Sequence, residues 1–467
     1  MFGKLRTIAN KYYEVVDDSW TIVGEGVQIA KDRSGTLNYE VPGILSYPDS
    51  FRKGHFWCFG TTRVGKTRIL ENLIEQDIRR GYSTVVIDPK GDLDLFAKIV
   101  QVAKETGRLD ELQFITPIFP AHSAVVDPLS HHYMPEELVG HIVSGIEIGK
   151  EKFFFNIAYE ISLAIVQALL LTRSEKDPGF GRSFNLNDVK NAMSREDLEK
   201  LAGEVDRFTA KDPKAAQLRR DMQKILDSPN DYYGKVSSSL RVALMELSSG
   251  HIGEIVGTAH SNKFIDRLEK GKRVIMVVHL GALITRKAAF TLGKVIVSMI
   301  QSFVGRVFSS GRKVTPPLSL FIDEAQSMLY YGIDDLFSKA GGADVWVHGF
   351  SQSVSQMYAV VGQDFARAIL DNTNTKIFMK VPDTETAEYV AGHFGQRRLY
   401  QCVFGNEGGI TVKENDEDFL KPQDIMGLRE REFYMMTYSG LYKGRTLDVS
   451  PLYMNVEFPG VGGLKAA

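Results

Sequence analysis

The sequence holds only two cysteines, Cys58 and Cys402, in 467 residues. Two thiols build no disulfide framework in so long a chain, which excludes the disulfide-stapled secreted class and points to a reducing compartment. Charge of one sign is missing as well: 56 Lys and Arg stand against 58 Asp and Glu, a formal net charge of -2. A protein that coats nucleic acid with its outer surface is basic overall, so any nucleic-acid contact must be local, as in a lined channel. The ten histidines show no metal spacing, and the pair His131-His132 falls in a polar loop, where a structural or solvent-exposed place is expected. No internal repeat, low-complexity segment or signal peptide is visible. The longest apolar stretch, Ile161 to Thr172, reads as too short to span a bilayer.

What is present suits a large core. Hydrophobic residues make up 43% and charged residues 24%, ordinary values for a globular protein, and the length favours more than one domain. Cys58 lies in an apolar run and reads as a small buried hydrophobe. At the start, Phe2, Leu5, Ile8 and Tyr12 alternate with Lys4, Arg6 and Lys11. The segment 1–19 is either an arm packed on its own or a neighbouring subunit, or a basic amphipathic helix lying on a membrane.

Residues 20–47 read as short strands with turns at Gly24-Glu25-Gly26 and Arg33-Ser34-Gly35. An apolar strand follows at His55 to Phe59, then a Gly-rich loop, then helical spacing through Ile69, Leu70, Leu73, Ile74 and Ile78, with Gly81 as the stop. Thr84 to Asp88 is the next strand, which completes a βαβ unit. Further strand-length apolar runs lie at 113–116, 274–280, 318–323, 345–350, 377–381 and 433–438, with helical segments such as 287–308 and 364–370 between most of them. Continuous apolar strands imply a sheet buried on both faces. The predicted fold class is α/β, a doubly wound and mostly parallel sheet. One interval breaks the rhythm: helical patterns at 136–148, 152–171, 195–208, 213–226 and 235–247 carry no convincing strand. The expected division is a discontinuous motor domain, 20–134 and 269–458, an inserted all-helical domain, 135–268, and a loose tail, 459–467.

The loop Gly60-Thr61-Thr62-Arg63-Val64-Gly65-Lys66-Thr67 carries the chemistry. Its glycines let backbone N–H groups wrap phosphate oxygens, and the helix behind it points its positive dipole end at them. Lys66 is placed to reach the β- and γ-phosphates of ATP, and Thr67 to put its hydroxyl on Mg2+. The apolar strand ending in Asp323-Glu324 offers a carboxylate for the Mg2+ hydration shell and, one residue on, a base for the attacking water, which implies hydrolysis. Gln352, at the end of the strand 345–350, is placed to sense the γ-phosphate. In Asp88-Pro89-Lys90-Gly91-Asp92, Asp88 or Lys90 supports the site or a subunit contact, or the segment is an ordinary turn.

GTTRVGKTR (Gly60 to Arg68), VVIDPKGDLDL, LFIDEAQ, HGFSQS and NTKIFMKVPDTETAEYVA, in this order, resemble the type IV coupling proteins of bacterial conjugation, the TraD/TraG kind, from about Val41 to Leu452. The resemblance implies a RecA-like, hexameric, DNA-dependent ATPase. Such proteins sit at the cytoplasmic face of the inner membrane, at the mouth of a type IV secretion channel, and recruit a relaxase-bound strand. It carries Lys66 and Thr67 over as nucleotide ligands, Asp323 and Glu324 as metal and water residues, and Gln352 as sensor. A chromosome translocase of the FtsK or HerA kind, a secretion ATPase, and a nucleotide-switched docking platform are the competing readings. Single- and double-stranded DNA both stay open as substrates.

Three departures stand out. The family usually carries N-terminal transmembrane helices that are not read here, so the expectation is a trimmed form, or recruitment by a partner or by the amphipathic start. Relatives place an arginine about ten residues before the sensor; here the nearest basic residue is Lys339, and lysine lacks the bidentate fork, which leaves Arg367 or Arg397 for that role. The family's Asn-Pro-Leu reads Asp127-Pro128-Leu129. For DNA, Lys211, Lys214, Arg219, Arg220, Lys224, Lys235 and Arg241 give the insert a basic side, with Tyr232-Tyr233 available for stacking.

Overall fold

In the computed structural model, residues 19–31, 37–146, 152–174, 184–404 and 410–458 are described. The arm from Phe2 to Tyr12, the turn at Arg33-Ser34-Gly35 and the tail after 458 lie outside them. The strands are β1 (Trp20–Lys31), β2 (Leu37–Tyr39), β3 (Gly43–Pro48), β4 (Phe56–Phe59), β5 (Ser83–Asp88), β6 (Leu112–Ile115), β7 (Ile275–His279), β8 (Leu318–Ile322), β9 (Val345–Ser351), β10 (Thr375–Phe378), β11 (Gln396–Phe404), β12 (Ile410–Asp418), β13 (Glu432–Thr437) and β14 (Gly440–Thr446).

One sheet has the order β2-β1-β14-β13-β10-β4-β9-β8-β5-β7-β6, with β3 on the other side of β1. From β10 to β6 all neighbours are parallel; from β10 to β13 and beyond they are antiparallel. The parallel part is buried on both faces, as its unbroken apolar strands require. Phe56 and Cys58 of β4 pack in one apolar cluster, Trp57 and Phe59 in the other. The first cluster takes in helix α1 (Lys66–Arg79), whose Ile69, Leu70, Leu73, Ile74 and Ile78 are all buried. Each such side chain contributes about 1.5–3 kcal/mol of gross burial. Gly81, at φ 77°, ends the helix by taking a left-handed backbone. Helix α2 (Leu93–Glu105) lies on the same face.

The opposite face is continuous with the helical interval between β6 and β7. The two ends of that interval meet: Val126 bridges Asn262, the Asp127 N–H donates to the Ser261 carbonyl at 2.9 Å, and Asn262 donates to the Asp127 carbonyl at 3.1 Å. Asp127 also accepts the Leu129 N–H at 2.8 Å, so its carboxylate closes the turn at Asp127-Pro128-Leu129.

Four expectations change. The turn at Gly24-Glu25-Gly26 is a continuous part of β1, with a register shift between Ile22 and Gly24. The glycines are there for close approach: a Cβ at Gly26 would stand 2.1 Å from the Lys443 carbonyl oxygen. The helix expected over 235–247 is two, Asn230–Val236 and Ser238–Ser248. Ser237 at the break returns its hydroxyl to the Tyr233 carbonyl at 2.7 Å, a local bond that competes with helix continuation. The hairpin β11–β12 escapes sequence reading, since its charged residues mask the strand period. Phe155–Arg173, within the helix Lys152–Ser174, and the helix Arg286–Ser309 are both long and apolar enough to cross a membrane, with mean hydropathies of 1.5 and 1.4; isolated polar residues such as Glu160 hid the first. Both contribute to the apolar core instead.

Candidate nucleotide site

Parallel order places the C-terminal ends of neighbouring strands on one rim, where α/β sheets bind ligands. Here that rim joins the Gly-rich loop after β4, Gln352 after β9, Asp323-Glu324 after β8 and the Asp88–Asp92 turn after β5. The strand carrying Gln352 stands between those carrying the loop and the acids. Sequence spacing does not reveal this arrangement; the sheet order produces it.

The loop itself is held from several sides. The Gly60 N–H donates to the Ser351 carbonyl at 3.1 Å, and that of Thr61 to the Lys380 carbonyl at 2.8 Å. Gly65 has φ 110°, a backbone that side chains rarely adopt, and Arg63 is left-handed at φ 62°. A Cβ at Gly60 would lie 2.9 Å from Met379 and Val64 side chains, so this corner requires glycine. Val64 is buried and anchors the loop, whereas Thr62 and Arg63 are exposed. Lys66 Nζ donates back to the Gly60 and Thr61 carbonyls at 2.5 and 2.7 Å. Burial lowers its pKa, while Asp323 and Glu324 act on it in the opposite sense. Thr67 is half-buried at the first turn of α1, and exposed Arg68 pairs with Glu71 at 3.0 Å.

Asp323 and Glu324 face Lys90 from the next strand. Lys90 Nζ donates to Asp323 Oδ2 at 2.8 Å and stands 3.7 Å from Glu324 Oε1. Burial opposes the ammonium's charge, but Asp323 and Glu324 more than offset it and hold its pKa above the ordinary range. The donor set fits a divalent cation: the carboxylates already hold a positive charge, and the Thr67 hydroxyl begins the neighbouring helix. Among the described residues no cluster of three or more His, Cys, Asp or Glu side chains could hold a metal ion; Mg2+ commonly takes one or two protein oxygens plus phosphate and water. Glu324 is left-handed at φ 46°, a conformation held at a cost of about 1–3 kcal/mol and found most often at functional sites. Asp88, almost fully buried, accepts the Lys90 and Asp92 N–H groups at 3.0 and 2.6 Å. Burial pushes its pKa up to about 6, against those bonds. The segment is thus an ordered turn whose lysine reaches the acids. Gln352 is half-buried, and its Oε1 accepts from Gln356 Nε2 at 3.2 Å.

Sequence reading missed Arg431. It stands at φ 71°, its N–H donates to the Val64 carbonyl at 2.8 Å, and its side chain lies against Gly65. Thr446 and Asp448 hold its guanidinium. Nothing local marks such a residue, because the loop and Arg431 are far apart in sequence. The other basic candidates have partners of their own: Lys339 pairs with Asp335 at 2.5 Å, Arg397 with Glu417 at 3.6 Å, and exposed Arg367 lies beside Tyr358.

The helical interval corrects a further expectation. Tyr233 is not open for stacking: it is buried, and its hydroxyl donates to the Met193 carbonyl at 2.9 Å. Tyr232 is exposed. Arg219 pairs with Asp206 at 3.0 Å, Lys224 with Asp221 at 2.8 Å, and Arg220 with Gln217. His131 faces Asp266 at 2.9 Å, the structural place expected of it.

The comparisons with known proteins agree with this geometry. Residues 38–98 match the family described as the type IV secretion-system coupling protein DNA-binding domain. Residues 317–430 match the TraM recognition site of TraD and TraG. The type 4 coupling protein DotL of Legionella pneumophila is 23% identical over 75% of this chain and 50% of its own length, so the chain spans about half of that relative. Among solved structures, the fold is shared with the unbound conjugative coupling protein TrwBdeltaN70, at TM-score 0.64 and 16% identity over 90% of this chain and 88% of that one. TrwB in complex with ADP and Mg2+ gives TM-score 0.65 at 15% identity, over 93% and 97% of the two chains. Two matched segments lie on the strands and loops that build the rim; in them the chain is similar to type IV secretion coupling proteins, and its fold is that of TrwB.

Proposed function

We propose that this chain is the ATP-hydrolysing motor of a coupling protein that recruits DNA to a type IV secretion channel and drives it through. The observation that carries the reading is the single rim on which the Gly60–Thr67 loop, the Asp323-Glu324 pair and Gln352 meet. Gly60 to Arg68 wrap and orient the phosphates. Lys66 exchanges its two bonds to loop carbonyls for the β- and γ-phosphates. Thr67 and Asp323 would hold Mg2+, at the carboxylate where Lys90 now supplies the positive charge. Bound Mg2+ supplies neutralisation of phosphate charge. Glu324 Oε accepts the proton of the attacking water, and Gln352 reports the state of the γ-phosphate along β9.

The assembly reading is a ring of six subunits at the cytoplasmic face of the bacterial inner membrane, with relaxase and channel proteins as partners. An arginine from a neighbouring subunit completes the site, Arg367 and Arg397 being the candidates. The division into a motor, 20–134 and 269–458, and a helical domain, 135–268, assigns the second to the substrate. Support comes from the contact of Val126–Asp127 with Ser261–Asn262, which closes the interval between β6 and β7 on itself.

The test is the ATPase rate of the purified protein with and without single-stranded and double-stranded DNA, beside Glu324→Gln. The expected result is DNA-stimulated hydrolysis that Glu324→Gln abolishes while ATP binding survives. Undiminished turnover in the variant rejects Glu324 as the base. Hydrolysis indifferent to DNA at every protein concentration rejects the translocase and leaves a docking platform. Negative-stain images count the subunits.

A further inference from the structure

Two clefts open at the strand-starting side of the sheet, where β5, β6, β7 and β8 begin. One, of about 690 Å³, runs along the edge strand β6 and the helix Lys263–Glu269. The other, of about 440 Å³, lies between Leu268–Lys272 and Arg312–Pro316. Lys272 lines both. Together they hold seven cationic side chains and three carboxylates, in a chain whose net charge is -2.

Much of this charge is unspent. Lys263, Lys270 and Lys272 are exposed, and among the described residues no carboxylate lies within ion-pair distance of any of the three. Arg267 gives its Nε to the Arg273 carbonyl at 2.9 Å rather than to an acid. Arg306 and Lys313 of the clefts are paired with Glu269 and Asp344, as Arg219 and Lys224 are with acids elsewhere on the helical interval. The floor of the larger cleft is partly apolar, with Leu112 and Ala121 beside Gln113, His122 and Ser123. Beside it, Leu109 and Val125 are 45% and 42% exposed.

Anionic apolar-anchored peptide and nucleic acid make different demands. A nucleic-acid strand favours a groove of unbroken positive charge with aromatic faces open for stacking. Here Asp110 and Asp266 interrupt the cations, and the Phe114 ring is stacked between Phe96 at 4.2 Å and Phe458 at 5.5 Å. A peptide with spaced carboxylates meets both features, since its acids find the lysines and its apolar side chains find the floor.

We propose that these joined clefts dock an acidic segment of a protein partner, with carboxylates on Lys263, Lys270 and Lys272 and apolar side chains over Leu112 and the exposed Leu109 and Val125. The surface is independent of the nucleotide rim, so the proposal stands or falls apart from the ATPase reading. The contact is partly solvated, and rising salt weakens it.

The experiment is fluorescence anisotropy of the whole chain with a labelled peptide of about 12 residues alternating glutamate and leucine, about 40 Å long when extended. The expected result is saturable binding that falls at least tenfold in the double variant Lys263→Glu with Lys270→Glu, and by a few-fold in Lys272→Ala. The pair Lys211→Glu with Lys214→Glu, on the helical interval, leaves it unchanged. A thermal melt confirms that each variant folds. No binding by the unaltered protein overturns the proposal, as does binding undiminished by the double reversal. A single-stranded oligonucleotide that loses affinity in the double variant while the peptide does not also overturns it, and marks the clefts as a nucleic-acid surface.

Discussion

Arg52 and Lys66 sit at opposite ends of the same parallel strands, each in a cluster of charged and polar groups. Arg52, before β4, is fully buried and donates to both oxygens of Asp77 at 2.6 Å, to Ser319 at 3.1 Å and to the His348 ring at 3.1–3.3 Å. Its guanidinium also lies over the Trp346 ring, 4.4 Å from the centroid. Lys66, after β4, reaches only carbonyls of its own loop, and Lys90 and Asp323 satisfy each other with one bond. Positive φ occurs at both ends, at Arg63 and Glu324 on the rim and at His55 and Asp344 on the Arg52 side. The difference is one of exchangeable bonds. Around Arg52 the bonds tie β8, β9, α1 and Thr21 of β1 into one unit, and no polar ligand has anything to replace. Around Lys66 the bonds are few, and a polyphosphate with its cation offers each group a stronger partner.

The contrast is tested first at the rim. Glu324→Gln is expected to lower turnover by about 10²–10⁴-fold, the range for removing a general base, with nucleotide affinity kept. Phosphate release and a ligand titration measure the two halves. At the other end, Asp77→Ala leaves the Arg52 charge buried without its carboxylate and is expected to cost about 3–5 kcal/mol of stability. A denaturant melt reads this, and nucleotide affinity in the folded fraction is expected to persist. Loss of affinity without loss of stability would erase the distinction between the ends.

Asp88 sharpens the contrast through pH. Its folded pKa is raised by burial to about 6, whereas the unfolded carboxyl titrates near 3.9. Between these values the folded state holds the proton and the unfolded state does not. Stability therefore falls as pH climbs from about 4 to about 6, and above that the deficit is complete, at roughly 3 kcal/mol. Asp88→Asn is expected to flatten that slope, as melting temperatures across the window will show. The smallest effect is expected for Gln352→Ala. Losing one hydrogen bond to a charged group costs about 1.5–3 kcal/mol, or roughly 10–100-fold in turnover, with little change in melting temperature.

Much of the rim was legible because its pieces are local. Gly60, Gly65, Lys66 and Thr67 share one turn and one helix start, and spacing alone reports them. Asp323-Glu324 follows an apolar run that can only be a buried strand. The turn at Asp88 was left open, since Lys90 and Asp323 are 233 residues apart in sequence and only the pairing of β5 with β8 makes them neighbours. Arg431 was invisible for the same reason. Tyr233 was misjudged because an exposed and a buried tyrosine look alike in a polar helix until the Met193 carbonyl is placed beside one of them. Gly24 and Gly26 suggested a turn, and the Lys443 carbonyl behind Gly26 is what makes it a strand.

The sequence by itself determined the phosphate loop, the two-sided burial of the parallel strands and the helical character of the interval between β6 and β7. These depend on backbone preference and on periodicity, which act over a few residues. Only the tertiary structure decided which strand stands between the loop and the acids, which lysine faces Asp323, and which basic residues remain unpaired. Those are set by sheet order and packing, where contacts form between residues that sequence distance keeps apart.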